Sequence, residues 1–580
     1  MSFTLRAVAA FAAALTLLGV PDIKSIAAGE AEGTPPSECS TIYDVLLKGG
    51  RVVDGSGNPW FTGDLAINGD RIAAIGALDT TLAARVIDVS GLVIAPGFID
   101  LLGQSEYTVL VDPRVAGKIT QGITTEVTGE GGSVGPQTPF TIAEMAPILV
   151  DLRLAIDWSD HAGYFARVEK QGSGLNFAHL VGAAQVRQAV LKSENRKATP
   201  VELEAMRTHV ARAMEQGAFG LSSSLIYPPG AFADTAELIA LAKVAARHGG
   251  IYATHVRGES DHLLASLDEA ATIGSEAALP VEIWHLKAAG RKNWGKMRDA
   301  LAAIEWYRAR GIDITADIYP YPAAATDLAA CLPPWASEGG ITAMVARLKN
   351  PAERKRIRRE METPSGDWED LLAHAGGPSG VLVAGVRTEA NRKFQGKRLS
   401  EIAAMRGDDP IEALFDLLVE ENGTVDAIYF IMSEEDVKLA MASPFVAFNC
   451  DAPGVQPEGI LGSRMIHPRS YGSFPRILGR YVREEKVLRL EDAIRKMTSL
   501  AAQRIGLRDR GLLRPGYFAD VTVFDPAAVA DRATFEAPHR YSEGIVHVFV
   551  NGEPVVESAR ITGLLPGRIL KGPGTQAPSR

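Results

Sequence analysis

Residues 235–255, TAELIALAKVAARHGGIYATH, read as an amphipathic helix over 235–248 followed by a short apolar strand over 251–254 that ends at His255. The pattern recurs on both sides. Upstream stand a strand over 124–128, a helix over 200–215 and a strand over 218–222. Downstream, a strand over 281–284 ends at His285, one over 314–316 ends at Asp317, and one over 444–448 leads to Asp451. Apolar strands alternating with amphipathic helices predict parallel β/α units, and a long central stretch filled this way predicts an α/β fold of the (β/α)8 barrel type. In such a barrel chemistry sits at the C-terminal strand ends, so His255, His285, Asp317 and Asp451 become candidate site residues.

Outside the barrel, residues 43–53, 64–75 and 86–94 alternate apolar and polar side chains between glycine turns and predict short antiparallel strands. A similar pattern returns over 519–525 and 544–555, with an Asn551-Gly552 turn. The two ends together predict one small β-sandwich, built from residues 43–97 and 506–570, around a barrel of residues 98–505. Over about 337–393 the sequence becomes charged and helical, including Arg354, Lys355, Arg356, Arg358 and Arg359. That stretch reads as an insertion whose basic run is a solvated helix face. No 20–50-residue repeat points to a solenoid or propeller.

Composition narrows the function. A chain of 580 residues that is 46% hydrophobic fills a core larger than one small domain, which excludes disorder as the default state. Sixty basic against 70 acidic residues give a net charge of −10, and no basic block is long enough to track a phosphate backbone, so no nucleic-acid partner is expected. The three cysteines, Cys39, Cys331 and Cys450, allow at most one bridge and show no Cys-x-x-Cys spacing. No phosphate-binding loop ending in Gly-Lys-Ser or Gly-Lys-Thr is present. At the N-terminus Arg6, an apolar run over 7–20 and the small residues Ser25, Ala27 and Ala28 follow the order of a secretory signal peptide over 1–28. The run is shorter than the roughly 20 residues of a membrane span. The expectation is an exported protein, periplasmic or secreted, with no stable membrane insertion after cleavage, a linker over 29–42 and a tail over 571–580.

The strings LSSSLIYPPG (221–230), ATHVRGE (253–259), HLKAAGR (285–291), TADIYPYP (315–322) and HPRSYGSFPRILGRYVR (467–483) resemble those of N-acyl-D-amino-acid deacylases. These D-aminoacylases belong to the metal-dependent amidohydrolase superfamily. With the closing strings DRGLLRPGYFADVTVFDP and FVNGEPVV, the resemblance runs from about Tyr43 to about Arg568. It implies a barrel, a β-sandwich made from both ends and an insertion over the active site. It also implies hydrolysis of an N-acyl-D-amino acid, a small molecule, to a carboxylate and a free D-amino acid.

Amide hydrolysis needs an activated water, a polarised carbonyl and a proton for the leaving amine, and a Zn2+ supplies the first two. His255 and His285, at the ends of adjacent strands, are the expected imidazole ligands. By resemblance Asp451 is the general base that later protonates the leaving nitrogen. The substrate carboxylate falls to Arg469, Lys287 and a tyrosine, Tyr319 or, by the same spacing, Tyr321. Tyr227 and Arg257 are further lining candidates, Tyr227 equally a turn residue.

The chain departs from the family in its metal motifs. Where the family carries GFIDxHxH, residues 97–106 read GFIDLLGQSE, with Leu102 and Gln104 in the histidine places. Where it carries a cysteine in a string like GNCG, residues 129–132 read GEGG, with Gly131 in the cysteine's place. Glu130 is the nearest carboxylate and Glu106 a more distant one. The expectation is one Zn2+ per chain, held by His255, His285 and Glu130. Two alternatives stay open: a hydrolase of another linear or cyclic amide, such as a dipeptide or lactam, and a non-catalytic member that binds an acylated amino acid through Arg469 and Lys287.

Overall fold

Parallel strands follow one another around a closed barrel: β1 (Phe98–Asp100), β2 (Ile123–Thr128), β3 (Asn176–His179, resumed after Leu180 as Val181–Gly182), β4 (Gly220–Ser224), β5 (Ile251–His255), β6 (Val281–Ile283), β7 (Ile314–Ile318) and β8 (Val446–Phe448). Each pairs in parallel with the next. The ring closes beyond β1 and β8, where Gly103 faces Ala452 and the Asp451 N–H donates to the Leu102 carbonyl at 2.8 Å. This computed structural model describes residues 42–575 except 364, 365 and 367. The expected signal peptide, residues 29–41 of the expected linker and residues 576–580 of the expected tail lie outside the described residues.

Helices Pro200–Gln216, Thr235–Arg247, Leu263–Ala277 and Met297–Ala309 connect successive strands. The first shows how locally these elements are specified. Thr199 accepts the Glu202 N–H, Glu202 accepts the Thr199 N–H, Pro200 opens the helix and Gly217 ends it in the left-handed region. No helix among the described residues is long and apolar enough to cross a membrane. Cys331 and Cys450 are buried free thiols.

Nine strands from the two chain ends form one continuous sheet around Leu47, Leu65, Ile67, Ile94, Val521 and Phe549, the sandwich domain. Tyr43–Val52 pairs antiparallel with Phe61–Asn68, and Val93–Pro96 pairs antiparallel with Val521–Phe524 from the other end. The stretch 86–94, expected as one antiparallel strand, is instead two. Ala83–Asp88 and Val93–Pro96 flank a turn at Ser90 and Gly91, and both run parallel to Tyr43–Val52. Alternation of side chains reports the pleat and not strand direction, so the sequence pattern could not distinguish the two.

Between β7 and β8 the chain builds a second, four-stranded sheet from Ala324–Asp327, Val381–Gly385, Lys397–Arg398 and Asp426–Tyr429. Helices Ile341–Lys349, Pro351–Glu362, Leu399–Arg406 and Pro410–Glu420 accompany it. The insertion is therefore wider than 337–393, because its flanking strands are as apolar as barrel strands and only its charged middle differs in composition. The basic run is also more than a solvated face. Arg354 lies 2.7 Å from both Glu412 and Asp416, and Arg358 lies 2.9 Å from Asp409, tying two helices together, while Lys355, Arg356 and Arg359 are exposed.

A buried polar network joins barrel to sandwich. Arg510 pairs with Asp520 and donates to Asn551 Oδ1 at 2.8 Å, and Asn551 Nδ2 donates to Asn176 Oδ1 of β3 at 2.8 Å. Replacing Arg510 with Met leaves Asp520 charged and unpaired in the interior. The expected loss is about 3–5 kcal/mol, read as a lower midpoint of urea unfolding relative to the wild type.

Candidate active site

His255 is the last residue of β5, and His285 follows β6 in a left-handed backbone conformation, φ 38°. The His285 N–H donates at 2.5 Å to Asp317 Oδ1 on β7, which also accepts Asn449 Nδ2 at 2.6 Å. Asp317, a strand-end candidate, thus holds the backbone of its neighbours. The two imidazoles meet edge to face, ring centres 4.5 Å apart, between two carboxylates. On one side Glu130 Oε1 lies 2.9 Å from His255 Nδ1 and 3.2 Å from His285 Nε2. On the other, Glu259 Oε1 lies 3.5 Å from His255 Nε2 and 3.2 Å from His285 Nδ1.

Glu130 reaches the histidines from a turn after β2, between Gly129 and Gly131. A Cβ at Gly131 would stand 2.4 Å from Ser224 Cβ, so a side chain there would strike β4. The residue that reaches the two imidazoles is 130 and not 131, where the cysteine of the resembled family was expected to fall. Glu106 stays outside the cluster: it accepts the Gly129 N–H at 2.7 Å, and burial pushes its carboxyl up to about 7. Glu130, His255 and His285 each offer a donor atom within 4.8 Å of the others, the one group of this kind among the described residues. Two imidazoles and a carboxylate are a suitable shell for a divalent cation, with His255 Nδ1 and His285 Nε2 both turned to Glu130 Oε1.

Burial alone would raise Glu130, but hydrogen bonds from His255 and His285 outweigh it and hold the carboxyl well below the ordinary range. Glu259 behaves alike, with His255, Lys287 and His285 overcoming burial. For His285, burial and Lys287 oppose protonation, yet the two carboxylates win and raise it to about 9. Lys287, expected on the substrate carboxylate, is buried with its Nζ 2.5 Å from Glu259 Oε1 and 2.7 Å from His285 Nδ1. Its charge is matched by Glu259, which the sequence reading did not assign. The signal was a carboxylate four residues beyond a strand-end histidine.

Asp451 also has a left-handed backbone, φ 45°. Its Oδ1 accepts Gln104 Nε2 at 2.8 Å, its Oδ2 lies 2.7 Å from Arg469 Nη1, and burial raises its carboxyl against the pull of Arg469. Gln104 Nε2 donates as well to Glu130 Oε2, at 2.9 Å. Arg469 is buried over the Tyr319 ring, 4.7 Å from its centre, and donates through Nη2 to the Ala325 carbonyl, with Nη1 on Asp451 and Nε without a hydrogen bond. Tyr319, and not Tyr321, is therefore the tyrosine at the site; Tyr321 packs on His467 and points its hydroxyl at Asp531. Tyr227 sets its ring 5.2 Å from that of His255, while Arg257 turns away to a two-pronged pair with Glu269. Beside Tyr227 a cavity opens beneath the insertion, walled by Ile226, Leu332, Ile341, Met344 and Trp368 with Glu144, Asp327 and Glu369, and no lysine or arginine among the described residues lines it.

Comparison with known proteins places this geometry. The profile of the amidohydrolase family matches residues 85–556. The chain is 38% identical over 538 residues to a D-aminoacylase of Alcaligenes xylosoxydans xylosoxydans, covering 92% of this chain and 98% of that one. It is equally 38% identical over 531 residues to an N-acyl-D-glutamate deacylase of the same organism, covering 91% and 96%. Among solved structures it is similar to the N-acyl-D-glutamate deacylase of Bordetella bronchiseptica complexed with zinc and a phosphonate inhibitor, with a TM-score of 0.76, 34% identity, and 91% and 99% of the two chains covered.

A cation can use the His285 lone pair only after that imidazole loses its proton. With His285 raised to about 9 in the cation-free site, uptake at pH 7 should release about one proton, and apparent affinity should weaken roughly tenfold for each pH unit below that value. Titration calorimetry in buffers of different ionisation enthalpy measures both; uptake without proton release would show that His285 is not a ligand.

Proposed function

The chain belongs to the amidohydrolase family, and on that premise we propose that it hydrolyses the amide bond of N-acyl-D-amino acids, with one Zn2+ held by Glu130, His255 and His285. The observation that carries this reading is the convergence of those three donors beside Asp451 at the barrel mouth. When bound, the zinc polarises the scissile carbonyl and makes water acidic enough to attack near neutral pH. Asp451, its proton affinity raised by burial, takes the proton from the attacking water and returns it to the leaving nitrogen. Glu259, 3.2 Å from His285 Nδ1, and Lys287, 2.7 Å from the same atom, fix the orientation of that ring. Arg469 binds the substrate carboxylate through Nη1, its guanidinium held flat by Tyr319. A substrate carboxylate at Nη1 takes over the contact that otherwise holds Asp451 Oδ2, so binding frees the base it needs.

Sequence identity does not separate the D-aminoacylase from the N-acyl-D-glutamate deacylase, since it is 38% for both. The cavity supports a substrate with an uncharged side chain. Its lining of apolar walls and carboxyls, with no cation, suits an uncharged side chain and repels a second carboxylate. Export of the chain through residues 1–28 is part of the same proposal, supported by the order of Arg6, the apolar run and the small residues. N-terminal sequencing of protein from the cell envelope fraction tests it; an intact Met1 would refute it.

Purified protein should carry near one zinc per chain and hydrolyse N-acetyl-D-leucine in preference to N-acetyl-D-glutamate. Asp451→Asn should keep the metal and lower kcat by roughly 10²–10⁴, whereas Glu130→Ala should lose both. Plasma mass spectrometry and amine release read the two quantities. A folded, zinc-supplemented protein without zinc or turnover would sink the hydrolase reading.

A further inference from the structure

Glu130 and Asp451, at most 13% exposed in their side chains, direct one oxygen each at the same group, the side-chain NH2 of Gln104, with Glu130 Oε2 at 2.9 Å and Asp451 Oδ1 at 2.8 Å. Two ionised carboxylates can only accept, so the amide must present its nitrogen to both and give one hydrogen to each. Anions this close and this dry need positive charge between them, and the partial charges of an N–H pair supply it through charge-assisted bonds. A divalent cation is the other group that answers the same requirement.

We propose that the Gln104 amide stands in for a second metal ion, bridging Glu130 and Asp451 so that the site takes one divalent cation and no more. Other features agree. Leu102, two residues earlier, is fully buried and offers no ligand atom. Asp451 is not among the converging donors of the Glu130, His255 and His285 group. Gln104 is exposed while its two acceptors are not, so it covers the solvent side of both carboxylates. It is a positioning residue: it sets the base against the ligand carboxylate and touches neither substrate nor metal. The inference rests on the single-zinc reading above and adds to it why the number is one.

The test is zinc titration into chelator-stripped full-length protein, with bound metal counted by plasma mass spectrometry after gel filtration. The wild type should bind one equivalent and keep its turnover in excess zinc. Gln104→Glu replaces the donor with a third carboxylate and should bind a second equivalent, with turnover then sensitive to excess zinc. Gln104→His serves the same end should the glutamate variant fail to fold. Gln104→Met should still bind one equivalent and lose roughly 10- to 100-fold in kcat with little change in KM. A wild type that binds two equivalents of similar affinity overturns the proposal while leaving the hydrolase reading intact, as do two ligand-bearing variants that both stop at one. A wild type that binds none fells the single-zinc reading itself, and this proposal with it.

Discussion

Two imidazoles held between two carboxylates are the constraint on which the rest of the site depends. Glu130 and Glu259 lie largely out of water, and a buried carboxylate without a partner costs several kcal/mol. Three cationic or protonatable groups, His255, His285 and Lys287, share the task of matching them. A cation arriving against Glu130 would take the place of the proton that the carboxylates hold on His285. Lys287 Nζ lies 2.5 Å from Glu259 and balances that carboxylate from the far side of the rings.

The same geometry asks for backbone strain, and the barrel's closure absorbs it. His285 and Asp451 both occupy left-handed conformations, which cost non-glycine residues about 1–3 kcal/mol each. His285 is held by Asp317, and Asp451 by the Leu102 carbonyl. One residue back, the Cys450 N–H donates at 2.8 Å to Asp100 Oδ1, whose other oxygen lies 2.5 Å from the fully buried Lys118 Nζ. A Cβ at Gly103 would lie 2.0 Å from Glu126 Oε1, so the turn that receives β8 needs glycine there. The hydrogen bonds that close the ring between its first and last strands are thus the ones that place Asp451.

The barrel was legible because parallel strands buried on both faces and amphipathic helices leave separate periodicities in the sequence, and a (β/α)8 barrel puts its chemistry at known strand ends. His255, His285 and Asp451 were singled out that way, and Glu130 as the carboxylate nearest a missing ligand; the structure brings Glu130, His255 and His285 together. What stayed hidden depends on side-chain direction. Lys287 looks like a free cation in the string HLKAAGR, and only the fold reveals Glu259 against it. Gln104 reads as the loss of a ligand until its two hydrogen bonds are seen. Gly131 matched a motif position, yet a turn with glycines on both sides of Glu130 moves the functional side chain by one residue. The insertion's true extent was hidden because its edge strands share the composition of the barrel.

That insertion divides the labour of the site. The groups placed for bond breaking come from β2, β5, β6 and the β8 exit, all tied into one closed ring. Recognition is built differently. Arg469 donates to the carbonyl of Ala325 in an insertion strand, His467 Nε2 meets the Ala323 carbonyl at 3.0 Å, and the cavity beside Tyr227 has the insertion for its far wall. Displacing the insertion would disturb the setting of Arg469 and the walls of the cavity together while leaving the imidazoles between their carboxylates. On the proposed reading, substrate choice then falls to the segment from Ala324 to Tyr429 and bond breaking to the strand ends, where the barrel's hydrogen-bonded ring fixes the positions of charge.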